Sequence, residues 1–560
     1  MNRREFLTSS GLAALYLALP GFLSACGIPR TAAEALATPE TWATPVASPT
    51  SLLTGSTNSA AFVHLLNRIT YGPRAGDLEQ ASKLGWDAII ERQLHPDQID
   101  DTALDQQLKS FTTLNMSGPE LAAIARSLRQ NRRDKKNPTI PTPEAESTNP
   151  ADLLTGTSTI KPARIVAELQ AAAILRAIAS ERQLYEIMVD FWSNHLNIFI
   201  GKGLVRFLKT LDDREVIRAH ALGTFREMLL ASARSPAMLL YLDNAQNTRP
   251  LGARGGINEN YGRELLELHT VGADGGYSQD DVIAVARTLT GWTVAPAQTD
   301  APGTFLFAPR LHDPDEKRIE FLGLNFPAGG GQAEGEELLS RLATHPKTAE
   351  RIAYKLVATF VSDTPPPALV ARAVQAYLAN DTDIRTTLGV ILHSDEFRQA
   401  ADLKIKLPFR MLVSAIRATG TTPNRDGLLS IVPLVKVLQG MGQAPFGWSP
   451  PNGYPQIGAA WVTTGGLLAR WNFGLNLAAG QIRGLRTDLT KLVPQTPTTP
   501  AALVDALARA ILPGALTPEA HAALTGYVGK PDTTLNAQTL RDTLPGLVGL
   551  MLASPAFQVY

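Results

Sequence analysis

Imidazole and carboxylate side chains concentrate in three short stretches of this sequence. The first is Asp190-Phe191-Trp192-Ser193-Asn194-His195-Leu196-Asn197-Ile198-Phe199. The second is Glu259-Asn260-Tyr261-Gly262-Arg263-Glu264-Leu265-Leu266-Glu267-Leu268-His269, and the third is His312-Asp313 with Lys317. Imidazole, amide and carboxylate oxygen are ligands for a divalent cation, and imidazole and carboxylate are also the commonest general acids and bases. His195, Glu264, His269 and His312 are therefore the candidate catalytic residues. His195, Asn260, Glu264, Glu267 and His269 are the candidate ligands, and a divalent metal is the cofactor such a set would hold. Cys26 is the only cysteine, which leaves no thiolate metal site and no disulfide.

Each stretch has a structural reading beside the chemical one. On a helical wheel Gln183, Glu186, Asp190, Asn194 and Asn197 form a narrow polar stripe, which suits a solvent face or a hydrogen-bonded seam. His195 falls on the other side among Tyr185, Met188, Phe191 and Phe199, where a buried imidazole needs a carbonyl, a carboxylate or a metal. In the second stretch Tyr261, Leu265 and Leu268 make the core stripe, flanked on one side by Asn260, Glu264 and Glu267 and on the other by His269. That helix alone does not bring Glu264 and His269 to one metal. Arg263 stands four residues before Glu267 and can pair with it, and His269 near a helix end is favoured when protonated. His312-Asp313 sits at a turn, where Asp-Pro is turn chemistry first. A fourth segment, Gly447-Trp448-Ser449-Pro450-Pro451-Asn452-Gly453-Tyr454-Pro455, offers Trp448 and Tyr454 as substrate-binding faces for a sugar ring or peptide, or else caps a core with its aromatics turned inward. No glycine-rich phosphate loop, HExxH helix or GxSxG elbow is present.

The elements that must position these residues read as mainly α, a large multi-helix body with one small β-hairpin insertion. Apolar residues recur at helical spacing over Ala163–Ala179, Arg182–Ile200, Asn258–Thr270, Gln279–Leu289, Ala349–Val361, Ala368–Leu378 and Gly465–Ala479. Ser278 followed by Asp281 is a capping-box pattern. Phe305 and Phe307 alternate like a strand, with Arg318 to Leu322 returning after Asp313-Pro314-Asp315, so that a hairpin spans 303–325. Ser235-Pro236, Ser394-Asp395 and Ser554-Pro555 follow apolar pairs and predict a recurring helix corner.

Ahead of this body lie Arg3-Arg4, an apolar run from Gly11 to Phe22, and Leu23-Ser24-Ala25-Cys26. Arg3 and Arg4 match a twin-arginine export signal, and Cys26 matches the acylated cysteine of a lipoprotein; the run is short for a membrane span. The expected organisation is a signal peptide over 1–25, a Pro/Thr/Ala-rich tether over 26–58 and a main helical domain over 59–480 with a polar loop at 130–159. A helical segment over 481–560 packs on it. The protein would then sit outside the cytoplasm, held by lipid at Cys26 on the outer side of the cytoplasmic membrane or elsewhere in the envelope. With 52 basic and 52 acidic residues the formal charge is zero, and a nucleic-acid partner is not expected.

Taken in order, His64-Leu65-Leu66-Asn67-Arg68-Ile69-Thr70-Tyr71-Gly72-Pro73, Phe191-Trp192-Ser193-Asn194-His195, Glu259 through His269, Gly275-Gly276-Tyr277 through Trp292, His312-Asp313 and Phe446 through Pro455 resemble a bacterial family known as domain of unknown function 1800. The resemblance spans about residues 60–558. Asp315 departs from it, standing where a glycine is frequent. The resemblance implies no reaction or cofactor. It implies export, and a neighbouring exported protein resembling a sulfatase as a partner. Two functions stay open: an envelope enzyme, metal- or cofactor-dependent, or a non-catalytic helical scaffold working with another exported protein.

Overall fold

The helical periodicity of the sequence is realised throughout the computed structural model, which describes residues 57–134, 162–250, 255–401, 404–424, 428–493, 497–512 and 516–560. The predicted segments appear as Pro162–Ala179, Gln183–His195, Gln279–Thr288, Pro346–Phe360, Pro367–Ala379 and Thr464–Ala478. The chain is mainly α, and its helices share one buried apolar cluster that runs from Leu65 to Phe557. Arg3, Arg4, Cys26, the signal segment and the tether through residue 56 lie outside the described residues, as does most of the polar loop at 130–159.

Local chemistry explains the element ends. The Ser278–Asp281 capping box is present in both directions and opens the Gln279–Thr288 helix. All three predicted corners are helix N-caps. At Ser394 the hydroxyl accepts the Phe397 N–H, and Ser394 and Ser554 also donate to the carbonyls of Ile391 and Leu552's neighbour Met551, closing the preceding helix. Ser235 instead donates to Asp212 at 2.7 Å.

Two expectations need correction. Phe305–Phe307 and Lys317–Ile319 are strands, but they do not pair with each other. Phe305–Phe307 is antiparallel to Trp292–Val294, with Trp292 opposite Phe307, and Lys317–Ile319 is antiparallel to Leu324–Phe326. The Trp292 ring packs on Phe305 at 5.2 Å, an aromatic contact that draws the strand to the helix end before it rather than to the strand after it. A third two-stranded sheet joins Thr422–Pro423 to Leu485–Arg486. The predicted helix over Asn258–Thr270 is α only from Asn260 to Glu264 and continues as a π-helix from Leu265 to His269. That wider turn rotates His269 away from its α-helical phase.

Near the C-terminal end, the Thr464–Ala478 helix packs on Ala537–Ala553, where Gly474 faces Leu552 and Gly549 faces Leu475. Among the described residues no helix is long and apolar enough to cross a membrane.

Candidate active site

The Gln183–His195 helix is buried along most of its length, and His195 ends it at 2 % exposure. Its ring lies beside Trp192 at 5.6 Å and Phe225 at 6.0 Å, so both nitrogens must find partners inside the protein. Nε2 is 3.0 Å from the His269 carbonyl. A carbonyl only accepts, so Nε2 carries the ring proton and Nδ1 offers a lone pair. That lone pair faces the Lys355 amine at 2.8 Å. The π-turn brings His269 itself to 6.5 Å from His195, ring centre to ring centre.

The electrostatics of this cluster are lopsided. Lys355 stands on the Pro346–Phe360 helix, one turn beyond Arg351. Burial and the Arg351 charge pull its ammonium down to about 7. Burial and the Lys355 and Arg351 charges pull His269 down to about 3, and burial with Lys355 holds His195 well below its ordinary range. His269 is therefore neutral, and the expectation of a protonated helix-end histidine is overturned because full burial beside two cations outweighs the helix dipole. Among the described residues Lys355 has no carboxylate in ion-pair contact; its polar partner is a neutral imidazole.

The acidic flank of the second stretch does not reach the histidines. Asn260 donates to the Leu242 carbonyl at 3.0 Å, a structural bond. Arg263 pairs with Glu259 at 2.9 Å and not with Glu267, because the π-turn breaks the four-residue spacing. Burial and the neighbouring Glu267 push the Glu264 carboxyl up, and burial, with Glu264 adding through space, pushes the Tyr241 phenol up to about 12. Glu267 acts likewise on Arg351 and Tyr277. Among the described residues no three His, Cys, Asp or Glu side chains are grouped to hold a metal ion.

The polar stripe beside His195 is a seam, and what it holds is the aromatic loop. Asn194 accepts the Tyr454 N–H at 2.7 Å and donates to the Tyr454 carbonyl at 3.0 Å. Asn197 donates to the carbonyls of Trp448 and Pro450, and Tyr241 donates to that of Ser449 at 2.7 Å. Glu186 is paired with Arg218, and Gln183 accepts the Tyr71 N–H at 3.0 Å. Trp448 and Tyr454 are only partly buried, 4.9 Å apart, and Trp461 extends the row at 5.9 Å from Tyr454. Asp190 is solvent-exposed on the same helix.

His312 belongs to a different and structural network. Its Nδ1 is 2.9 Å from the Thr290 carbonyl, and Glu334 near its Nε2 is bound to the buried Lys317 at 2.8 Å. Arg287 pairs with Asp313 at 2.7 Å, and Asp313 accepts the Asp315 N–H at 3.0 Å, so the asparagine-like turn closes without glycine. An open groove lined by Asp280, Ile283, Ala284, Arg287, Glu316 and Arg318 borders this region and contains none of the histidines.

The sequence reading missed Lys355, Arg351 and Trp461. A signal for the first two exists: Lys347, Arg351 and Lys355 recur every four residues, and neither Arg351 nor Lys355 has an acid three or four positions away. No curated protein and no solved structure matches the chain. A family pattern described as "Protein of unknown function (DUF1800)" matches residues 64–559, a span that includes every residue of the cluster and the aromatic loop, and the chain belongs to that family.

Proposed function

We propose that the protein is an exported, lipid-anchored envelope enzyme whose reacting group is the Lys355 amine. The observation that carries this is the contact of Lys355 with a neutral imidazole at 2.8 Å, in a site with no carboxylate to hold the ammonium charged. A structural lysine in a fold is normally given a counter-charge, as Lys317 is by Glu334 and Lys209 by Asp212. Lys355 is given the opposite environment. A lysine that is half unprotonated near neutral pH serves as a base toward a carbon acid or as a nucleophile toward a carbonyl. His195, locked in one tautomer by the His269 carbonyl, orients the amine. Export and acylation are supported by Arg3, Arg4 and Cys26.

The test is selective labelling of the mature protein at pH 7 with an amine-reactive reagent, read by peptide mass spectrometry. The free-amine fraction of Lys355 at pH 7 should be on the order of a thousandfold larger than that of an ordinary lysine, and its labelling per unit of accessible amine should be faster in consequence. Borohydride in the presence of a small ketone or aldehyde should trap a secondary amine at Lys355. A rate equal to that of exposed Lys347 would remove the proposal.

A second reading draws on the Trp448–Tyr454–Trp461 row and the exposed Ile457 next to it. There the loop is a binding face for another exported protein, such as the sulfatase-like partner, and the chain is a scaffold. The two readings are compatible in one molecule, since the same helix holds both sites.

A further inference from the structure

Arg351 and Lys355 stand one helical turn apart on the same face of Pro346–Phe360. The third member of their basic stripe, Lys347, is exposed and paired with Glu350 at 2.8 Å. Arg351 and Lys355 have no such partner: among the described residues neither makes an ion pair, and Arg351 makes no hydrogen bond, with its Nε buried and unused. Like charges at this spacing repel, and partial burial adds a desolvation cost to each. Glu267 acts on Arg351 through space without reaching ion-pair contact. The guanidinium lies against Gly272, where a side chain would approach Nη1 to 3.1 Å, so the backbone leaves it room.

Unused hydrogen-bonding groups collect beside this pair. His269 is fully buried with neither ring nitrogen bonded, and the Tyr261 hydroxyl, also buried, has no partner. The two rings are 6.4 Å apart, and His269 feels both Lys355 and Arg351. A neutral imidazole and a phenol each bring one donor, and the guanidinium brings five. A compact group with anionic oxygens accepts from all of these donors and answers the guanidinium charge.

We propose that Arg351 and Lys355, with His269 and Tyr261 behind them, form a subsite for an anionic oxygen group, a carboxylate or a phosphate, carried by the substrate. This rests on the reading of Lys355 as the reacting group and adds the class of molecule it meets. The anion seats on Arg351, and the carbon to be attacked or deprotonated lies toward Lys355.

The full mature chain is titrated by calorimetry with inorganic phosphate and, separately, with acetate, at ionic strength held constant with chloride. At least one should bind saturably, phosphate if the natural group is a phosphate ester and acetate if it is a carboxylate. Arg351→Met should weaken that binding at least tenfold, and Lys347→Met should leave it unchanged. Absence of saturable binding in the wild type, or binding that persists in Arg351→Met, overturns the subsite. Lys355 labelling without added anion is scored separately: a reactive Lys355 with no anion binding rejects the subsite alone. An unreactive Lys355 with Arg351-dependent binding keeps the subsite and rejects the reacting-group reading.

Discussion

At Lys355 a side chain that is ordinarily charged is placed where charge is penalised, and this leaves a thermodynamic mark apart from any reaction. A lysine ordinarily holds its proton up to 10.5, and Lys355 in the folded chain holds it only to about 7. Between those values the unfolded chain binds more protons than the folded one, so stability rises as pH rises across the window and levels off above it. The buried histidines run in the same sense at lower pH. His269, lowered to about 3, and His64, lowered to about 4 by burial, cost stability as pH falls below 6.5. Lys355→Met removes the alkaline dependence and lessens the acid one, since the Lys355 charge helps to lower His269 and His195. The variant should be more stable than the wild type at pH 7, and its advantage should shrink as pH approaches 10.5, read by urea denaturation at each pH. Parallel curves for the two proteins would mean that Lys355 stays charged in the fold and would take away the ground for its reactivity.

Among elements, the Gln183–His195 helix does two jobs on two faces, His195 turning toward Lys355 and Asn194 toward the aromatic loop. The loop is held in a backbone conformation that its residues do not choose freely. Phe446 has φ 59°, in the left-handed region, and is fixed there by the Ile200 N–H on its carbonyl at 3.2 Å. Gly453 has φ 74°, and a Cβ there would collide with the Asn194 carbonyl. Gly453→Ala should therefore destabilise the protein by about 1–3 kcal/mol and release the loop. Iodide quenching of tryptophan fluorescence should rise as Trp448 separates from Tyr454, and unchanged quenching with unchanged stability would show that the loop is not pinned at this point. The helices were legible in the sequence because a buried face repeats every 3.6 residues regardless of what covers it. Strand pairing at Phe305 was not, because the partner is chosen by the Trp292 ring across a turn. The meeting of His195 with His269 was also hidden, since it needs a π-turn that no spacing rule marks. Lys355 is hard to read for a related reason: a basic stripe on a helix is usually solvated, and only the missing acids around Arg351 and Lys355 set this one apart.

For the whole molecule the question is how a body with this site is kept where its substrate is. Among the described residues no helix is long and apolar enough to cross a membrane, and the attachment proposed above is through lipid at Cys26. Between Cys26 and the helix that begins at Thr57 the sequence holds some thirty residues rich in Pro, Thr and Ala. Each buried methylene of an acyl chain contributes about 0.8 kcal/mol, so two or more chains hold a protein on a membrane through salt washes that strip ionic contacts. Formal neutrality of the whole chain, with 52 basic and 52 acidic residues, gives it little electrostatic attraction of its own for an anionic surface. Cys26→Ser should thus move the protein from the salt-washed membrane fraction to the soluble fraction. Lys355 should still be labelled at the wild-type rate, because the anchor and the site share no contact in this scheme. A Cys26→Ser protein that stays with the membrane through high salt would place the attachment in the folded body. The half-buried Trp448–Tyr454–Trp461 row would then be the first surface to mutate, since it combines aromatic faces with partial access to solvent.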